Sequence, residues 1–274
     1  MAAEDAFITF KGNKVHVRVV EPDIELKYRV FVIASPVTDA SFTWRKITPE
    51  LSQLGCMTVI MDLPGFGRSD CGEDVPQDPQ TRAQIGWGII DEVDSAIGGG
   101  DATWHIMAHG TACQTALAMA NMYPDSVSSM VYISPMMNTE NGIRTGFTSH
   151  SRWFDSNIAS PAGYRSLLDK LFARHPDDYV TDSMRAQFRR PGAKESFINM
   201  LSQRTKPEPN KGFAPAMTLW GEKDVLMDEK TIAAFKKLVP ESEIHVMKTA
   251  GHMPMETHSH AMRDYLRGWK KYVG

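Results

Sequence analysis

Asp224, in the stretch LWGEKDVLMD, and His252, in AGHMPMETH, are two residue types that together can move protons. A carboxylate that accepts from one imidazole nitrogen holds the ring in one tautomer and stabilises its protonated form, leaving the other nitrogen as a general base. The same pair can equally be a hydrogen bond without a task. A third stretch, HIMAHGTAC from His105 to Cys113, sets small residues between an apolar run and a helix-like segment. Its centre is Gly110, flanked by Ala108 and Ala112, so no hydroxyl, thiol or carboxylate stands at the middle of this turn. Thr111 carries a hydroxyl one residue away from that centre, Cys113 is expected to be a buried small hydrophobe, and His109 is expected to be structural. His258 and His260 form an H-x-H pair, which on a helix does not share a face, so solvent exposure is expected rather than a metal site. No metal and no cofactor is implied by any of these spacings.

The composition sets broad bounds. A chain of 274 residues with 42% hydrophobic residues is long enough to bury a full core. A formal net charge of -3 supplies no electrostatic reason for nucleic acid or an acidic membrane as partner, and a small molecule is the expected one. The number of associating copies is not determined by the sequence. Three cysteines, Cys56, Cys71 and Cys113, lack metal-ligand spacing and imply reduced thiols in a cytoplasmic protein. The opening MAAEDAF has no basic region followed by an apolar run, so no secretory signal is expected. No uninterrupted apolar stretch is long enough to span a bilayer. The 17 methionines are expected to fill the core.

The elements that must position these residues alternate. AFITF and KVHVRVV read as strands around the turn KGN, and YRVFVIAS, MTVIMDL, ATWHIMA and VSSMVYIS as further strands. Between them TWRKITPELSQLG, the region from Thr81 to Ile97 and TACQTALAMANMY have helical spacing. The alternation stops after Pro135, where pieces such as YRSLLDKLFARH and TDSMRAQFRR are helix-like, and it resumes with AMTLW, DEKTIAAFKKLVP, SEIHVM and HAMRDYLRGWKKYV. This predicts an α/β protein with a mostly parallel sheet, helices on both faces, a core of residues 1–135 and 212–274, and a helix-like insertion at 136–211. Trp153, Phe154, Tyr164 and Phe172 in the insertion can line a pocket or fill its core, and Arg189 and Arg190 are expected on its solvated surface. In such sheets ligands bind beyond the carboxyl ends of the strands. The loops there hold, in chain order, DLPGFGRSD, the Gly110 turn, Asp224 and His252.

With these loops in that order the chain resembles the α/β-hydrolase fold superfamily, in the branch of epoxide hydrolases, haloalkane dehalogenases, C–C-bond hydrolases and proline iminopeptidases. DLPGFGRSD, LWGEKDVLMD and AGHMPMETH carry the resemblance, which covers nearly the whole chain. It implies the family's hydrolase fold, with residues 136–211 as its helical cap, Asp224 and His252 in the acid and histidine loops, and Gly110 in the place of the nucleophile of the G-x-S-x-G elbow. It also implies an oxyanion hole made by the backbone N–H groups of Thr111 and Val37.

The departures matter as much. Where the family elbow runs G-H-S-x-G-G, this chain has Ala108 to Cys113, and the family's His-Gly pair before the oxyanion loop falls on Ser35 and Pro36. Two motifs have changed together, which points to natural divergence rather than one engineered substitution. Glycine tolerates positive φ, whereas another residue held there costs ~1–3 kcal/mol, so losing the hydroxyl would relieve strain and keep the turn. Two functions follow. One is an enzyme in which a His252–Asp224 dyad acts as general base on a small carbonyl compound, through water-mediated hydrolysis, lyase chemistry or cofactor-free oxygenation. The other is an inactive family member that binds a ligand or partner. Possible substrate contacts come from Trp153 and Phe154.

Overall fold

A computed structural model describes residues 2–36, 39–99, 102–137, 149–203, 206–212 and 214–269. It opens with β1 (Ala3–Phe10) and β2 (Asn13–Val20), an antiparallel hairpin whose register pairs Phe10 with Asn13. The turn is Lys11–Gly12, both at positive φ, one residue earlier than KGN implied, because a two-residue turn of this hand matches the twist of the strands. β3 (Tyr28–Ile33), β4 (Cys56–Met61), β5 (Trp104–His109), β6 (Val127–Ile133), β7 (Ala216–Gly221) and β8 (Glu243–Met247) are mutually parallel. The eight-stranded sheet runs β1-β2-β4-β3-β5-β6-β7-β8, and β4, β5 and β7 are buried at every position, as strands covered on both faces must be.

The segment TWRKITPELSQLG forms two short helices rather than one, α1 (Ala40–Trp44) and α2 (Thr48–Gln53). Pro49 has no N–H to continue a ladder begun at α1 and instead occupies the first turn of α2. α3 (Pro79–Ile97) starts two residues before the expected Thr81 because Asp78 caps it, accepting from the Thr81 N–H at 2.7 Å. Its Gly88 gives room to Phe10, whose ring carbon would lie 2.5 Å from a Cβ there. α4 (Ala112–Met122) follows β5 directly.

Between β6 and β7 lie α5 (His150–Phe154), α6 (Pro161–Phe172), α7 (Asp178–Arg185) and α8 (Ala193–Ser202). An aromatic cluster holds them together. Trp153 stacks on Phe197 at 5.9 Å, and Phe154 packs on Phe188 at 6.0 Å and on Phe197 at 5.4 Å. Tyr164 and Phe172 are fully buried in the same core. Arg189 is exposed, but Arg190 is not the solvated surface residue that the sequence implied. Its guanidinium donates to the Gly67 and Ser69 carbonyls, the latter at 2.6 Å, and straps the inserted helices to the DLPGFGRSD loop. After β7 come α9 (Glu229–Leu238), α10 (Pro254–Thr257) and α11 (Ser259–Gly268). Among the described residues no helix is long and apolar enough to cross a membrane.

The end of β7 touches the loop that carries His252. A Cβ on Gly221 would overlap the carbonyl oxygens of Gly251 and Ala250, and one on Gly251 would overlap the backbone at Leu171. Backbone atoms cannot swing aside as a side-chain tip can. Gly221→Ala should therefore cost at least the ~1–3 kcal/mol of a typical overpacking change and lower Tm by several degrees. Gly268→Ala, where a Cβ meets nothing within 4 Å, is the control and should leave Tm unchanged or slightly raised. Equal effects of the two changes in a thermal melt would refute the close approach.

Candidate functional site

Four loops at the carboxyl ends of β3, β5, β7 and β8 converge. After β7, Asp224 closes a tight turn by donating its N–H to the Gly221 carbonyl at 3.1 Å, and its Oδ1 accepts from the Leu226 N–H at 2.9 Å. Its Oδ2 lies 2.8 Å from His252 Nδ1. Burial pushes the Asp224 carboxyl up, but His252 and the surrounding donors outweigh this and hold it below the ordinary carboxylate value. An ionised Asp224 makes Nδ1 the protonated nitrogen of a neutral imidazole and leaves the Nε2 lone pair outward.

The main chain of His252 is held on both sides. Its N–H donates to the Leu171 carbonyl at 2.6 Å, and its carbonyl lies 2.8 Å from His109 Nε2, which must donate. His109 is fully buried and acts on the backbone of this loop, which is the structural role expected of it.

Gly110 sits between β5 and α4 at φ +59°. A Cβ there would lie 3.4 Å from His252 Nε2 and 3.6 Å from Ser35 Oγ, both ordinary contacts. The turn is pinned by its N–H to the Ile133 carbonyl and by the Met136 N–H to its own carbonyl, each 3.0 Å. Thr111 is the N-cap of α4, yet its side chain does not cap it, and its hydroxyl is buried without a partner among the described residues. The Thr111 N–H therefore precedes the helix's own hydrogen-bond ladder. Val37, expected as the second backbone donor, lies outside the described residues. Cys113 is buried with its thiol pushed well up by burial and turned to the Ala108 carbonyl at 3.3 Å.

His252, Thr111, Ser35 and Pro36 line one cavity of about 120 Å³, together with Gln77, Arg82 and Gln114 from the core and an apolar wall from the inserted helices. Trp153 is on that wall. Phe154, expected beside it, does not line the cavity, because helix geometry turns it into the aromatic cluster with Phe188 and Phe197. Sequence reasoning missed Phe197, which takes the place foreseen for Phe154, and missed Arg82, Gln77 and Gln114. No short motif marks them, since helices and loops far apart in the chain bring them together.

The DLPGFGRSD loop does not reach the cavity with its acid. Asp62 Oδ2 accepts from the Arg68 N–H at 3.0 Å and lies 2.7 Å from His16 Nδ1, so this motif braces itself. His260 is exposed as expected, whereas His258 is half-buried between Thr249 Oγ1 at 3.1 Å and Thr257 Oγ1 at 2.8 Å, because the pair straddles the start of α11. Among the described residues no group of three His, Cys, Asp or Glu side chains could hold a metal ion.

The chain belongs to the alpha/beta hydrolase family, whose sequence profile matches residues 34–265. It is 23% identical over 213 residues to lipase 1 of Psychrobacter immobilis, an alignment that covers 73% of this chain and 64% of the lipase, just under two thirds of its length. Epoxide hydrolase 3 of Mus musculus is 25% identical over 249 residues, covering 82% of this chain and 66% of that protein. The haloalkane dehalogenase DbeA from Bradyrhizobium elkani superposes with a TM-score of 0.75 at 18% identity over 99% of each chain. The fold is thus the α/β-hydrolase fold that the loop motifs implied.

Two buried histidines make acid sensitivity testable. Burial, aided by neighbouring His252, brings His109 down to about 3, and burial brings His105 down to about 4, from an ordinary 6.5. Below 6.5 the unfolded chain binds protons that the folded one refuses, so stability is intact above that value and falls as pH drops toward these lowered ones. The slope is up to about 1.4 kcal/mol per pH unit for each ring. Urea unfolding between about pH 7 and about pH 4.5 should show it. His109→Gln, whose amide can still donate to the His252 carbonyl, should flatten it by roughly half. An unchanged slope in that variant would mean that His109 does not carry the effect.

Proposed function

We propose that this chain is an enzyme of its family that works without a side-chain nucleophile at the elbow. Gly110 occupies the nucleophile's position, His252 is the general base and Asp224 orients it. The observation that carries this reading is His252 Nε2, which makes no hydrogen bond among the described residues, belongs to a residue that lines the cavity, and lies 3.4 Å from a Cβ built on Gly110. A silent remnant has no reason to keep that nitrogen open and aimed.

In this mechanism a water molecule takes the room left by the missing side chain. Nε2 removes its proton as the water oxygen bonds to the substrate carbonyl carbon, and the carbonyl electron pair moves onto oxygen. The Thr111 N–H, at the positive end of α4, faces that oxyanion, with Val37 as the expected second donor. Collapse expels the leaving group, which takes the proton back from His252. Without the covalent intermediate that divides one hard step into two, suitable substrates are activated or acidic small carbonyl compounds. The same base could abstract a substrate proton for lyase or cofactor-free oxygenation chemistry. The helices between β6 and β7 act as a cap over the site, and Trp153 contacts the substrate. Cys56, Cys71 and Cys113 form no disulfide, which fits the cytoplasmic setting included in this reading.

A second reading, a ligand-binding protein without turnover, is favoured by the absent hydroxyl at Gly110 and by Pro36, which offers no N–H where the family's oxyanion loop begins.

Screening activated esters, lactones and diketones for turnover is the direct test. Activity found in this way should fall by on the order of 10²–10⁴ in His252→Ala and strongly in Asp224→Asn, with both variants folded. Wild-type turnover in folded His252→Ala would sink the base, and no turnover across the screen would favour the binding protein.

Restoring the hydroxyl is a separate probe. Gly110→Ser should be less stable by roughly 1–3 kcal/mol, since serine must take the positive φ. It should also gain fluorophosphonate labelling at position 110 that the wild type lacks. A folded but unlabelled variant would mean that the surroundings of Ser35 and Pro36 no longer support attack.

A further inference from the structure

Four Asp, Glu, Lys or Arg side chains are buried among the described residues: Asp62, Arg82, Asp224 and Glu256. Three have a charged or imidazole partner. Asp62 meets His16 at 2.7 Å, Asp224 meets His252 at 2.8 Å, and Glu256 meets Arg45 at 2.7 Å and Lys46 at 2.6 Å. Arg82 is the exception, with no carboxylate within 4.0 Å among the described residues. It is 4% exposed and lines the cavity that His252 faces.

The guanidinium is nonetheless held firmly. Nε donates to the Pro76 carbonyl at 3.2 Å, and Nη2 donates to the Pro64 carbonyl at 2.7 Å and to the Gln77 side-chain oxygen. Nη1 makes no hydrogen bond among the described residues. Burial brings the group down to about 9, partly offset by the charge of Asp78, so it remains a cation at neutral pH. Arg82 also lies in the first turns of α3, the end where a helix dipole disfavours positive charge. The Arg82 Cζ lies 5.6 Å from the centre of the Phe66 ring, a cation–π contact, yet a buried cation without a carboxylate partner is costly, and so is one at the wrong end of a helix. A fold that keeps both, on a residue that lines the cavity and with the Nη1 hydrogens left without a protein acceptor among the described residues, is arranged to receive an anion.

We propose that this cavity takes a molecule bearing a carboxylate, which Arg82 Nη1 receives while its apolar body packs against Trp153, Ile158, Leu167, Leu171 and Phe197. This deepens the reading of the cavity as the substrate site by naming the class of substrate. A carboxylate resists attack by water, so it is the handle, and the carbonyl that His252 serves is a second group on the same molecule. Arg82 thereby sets specificity and leaves the proton chemistry to His252.

Calorimetric titration of the intact protein with matched pairs tests this: hexanoate and hexanamide, phenylacetate and phenylacetamide, 3-phenylpropionate and 3-phenylpropanamide. At least one acid should bind ten times tighter than its amide or better. Arg82→Gln should erase that preference, and Arg82→Lys should keep part of it. A crystal structure with the preferred acid should put a carboxylate oxygen in hydrogen-bond reach of Nη1, which decides the matter even if Arg82→Gln does not fold. No acid preferred over its amide, or a carboxylate bound elsewhere, overturns the proposal. Binding is read without turnover, so an inactive protein that holds acids through Arg82 would sink the His252 mechanism alone. Turnover of neutral carbonyl compounds with no preference for acids would do the reverse.

Discussion

The main chain of His252 is clamped between two parts of the molecule that would otherwise be independent. Its N–H is tied to Leu171 at the end of α6, and its carbonyl to the His109 ring at the end of β5. Close contact of Gly251 with Gly221 on one side and Leu171 on the other leaves the loop no room to shift. With the backbone fixed, one hydrogen bond from Nδ1 to Asp224 is enough to set the ring plane and the tautomer. The chemistry proposed for the cavity depends on this clamp, because an imidazole on a loop free to move would not keep its second nitrogen aimed at one place.

Some polar groups in the interior hold the fold, and others face the cavity. The Asp62–His16 pair, the Arg190 strap and the Glu256 cluster with Arg45 and Lys46 join loops to one another and are satisfied internally. Glu256 lies in α10, just past His252, so its pairs with Arg45 and Lys46, which follow α1, carry that loop's far end. His252 Nε2 and Arg82 Nη1, which make no hydrogen bond among the described residues, and the partnerless Thr111 hydroxyl belong to residues that line one cavity. Buried donors and acceptors without partners are costly in a finished fold, and those around the cavity lie where a bound molecule would reach them.

On the proposed reading the elbow outlived its nucleophile because it serves the fold as well. Gly110 connects β5 to α4, fastens β6 through Ile133 and accepts from Met136 at the start of the inserted segment. A turn with those duties must keep its positive φ whatever its side chain does, and glycine adopts it at the least cost.

The sequence by itself determined the fold class, the order of nearly all elements, the loops that hold Asp224, His252 and Gly110, and the burial of Cys113. These are legible because strand and helix periods, cap residues and turn glycines act over a few neighbours. Local signals even contained the split into α1 and α2, since Pro49 ends any continuous ladder there. The tertiary structure decided what no local pattern encodes. Phe154 turned inward while Trp153 and Phe197 reached the cavity, Arg190 became a strap rather than a surface residue, and Arg82 was left buried without a carboxylate partner among the described residues. Each of these depends on which distant segment packs opposite a side chain, and that partner is set by the sheet order and the docking of the inserted helices, not by residues nearby in the chain.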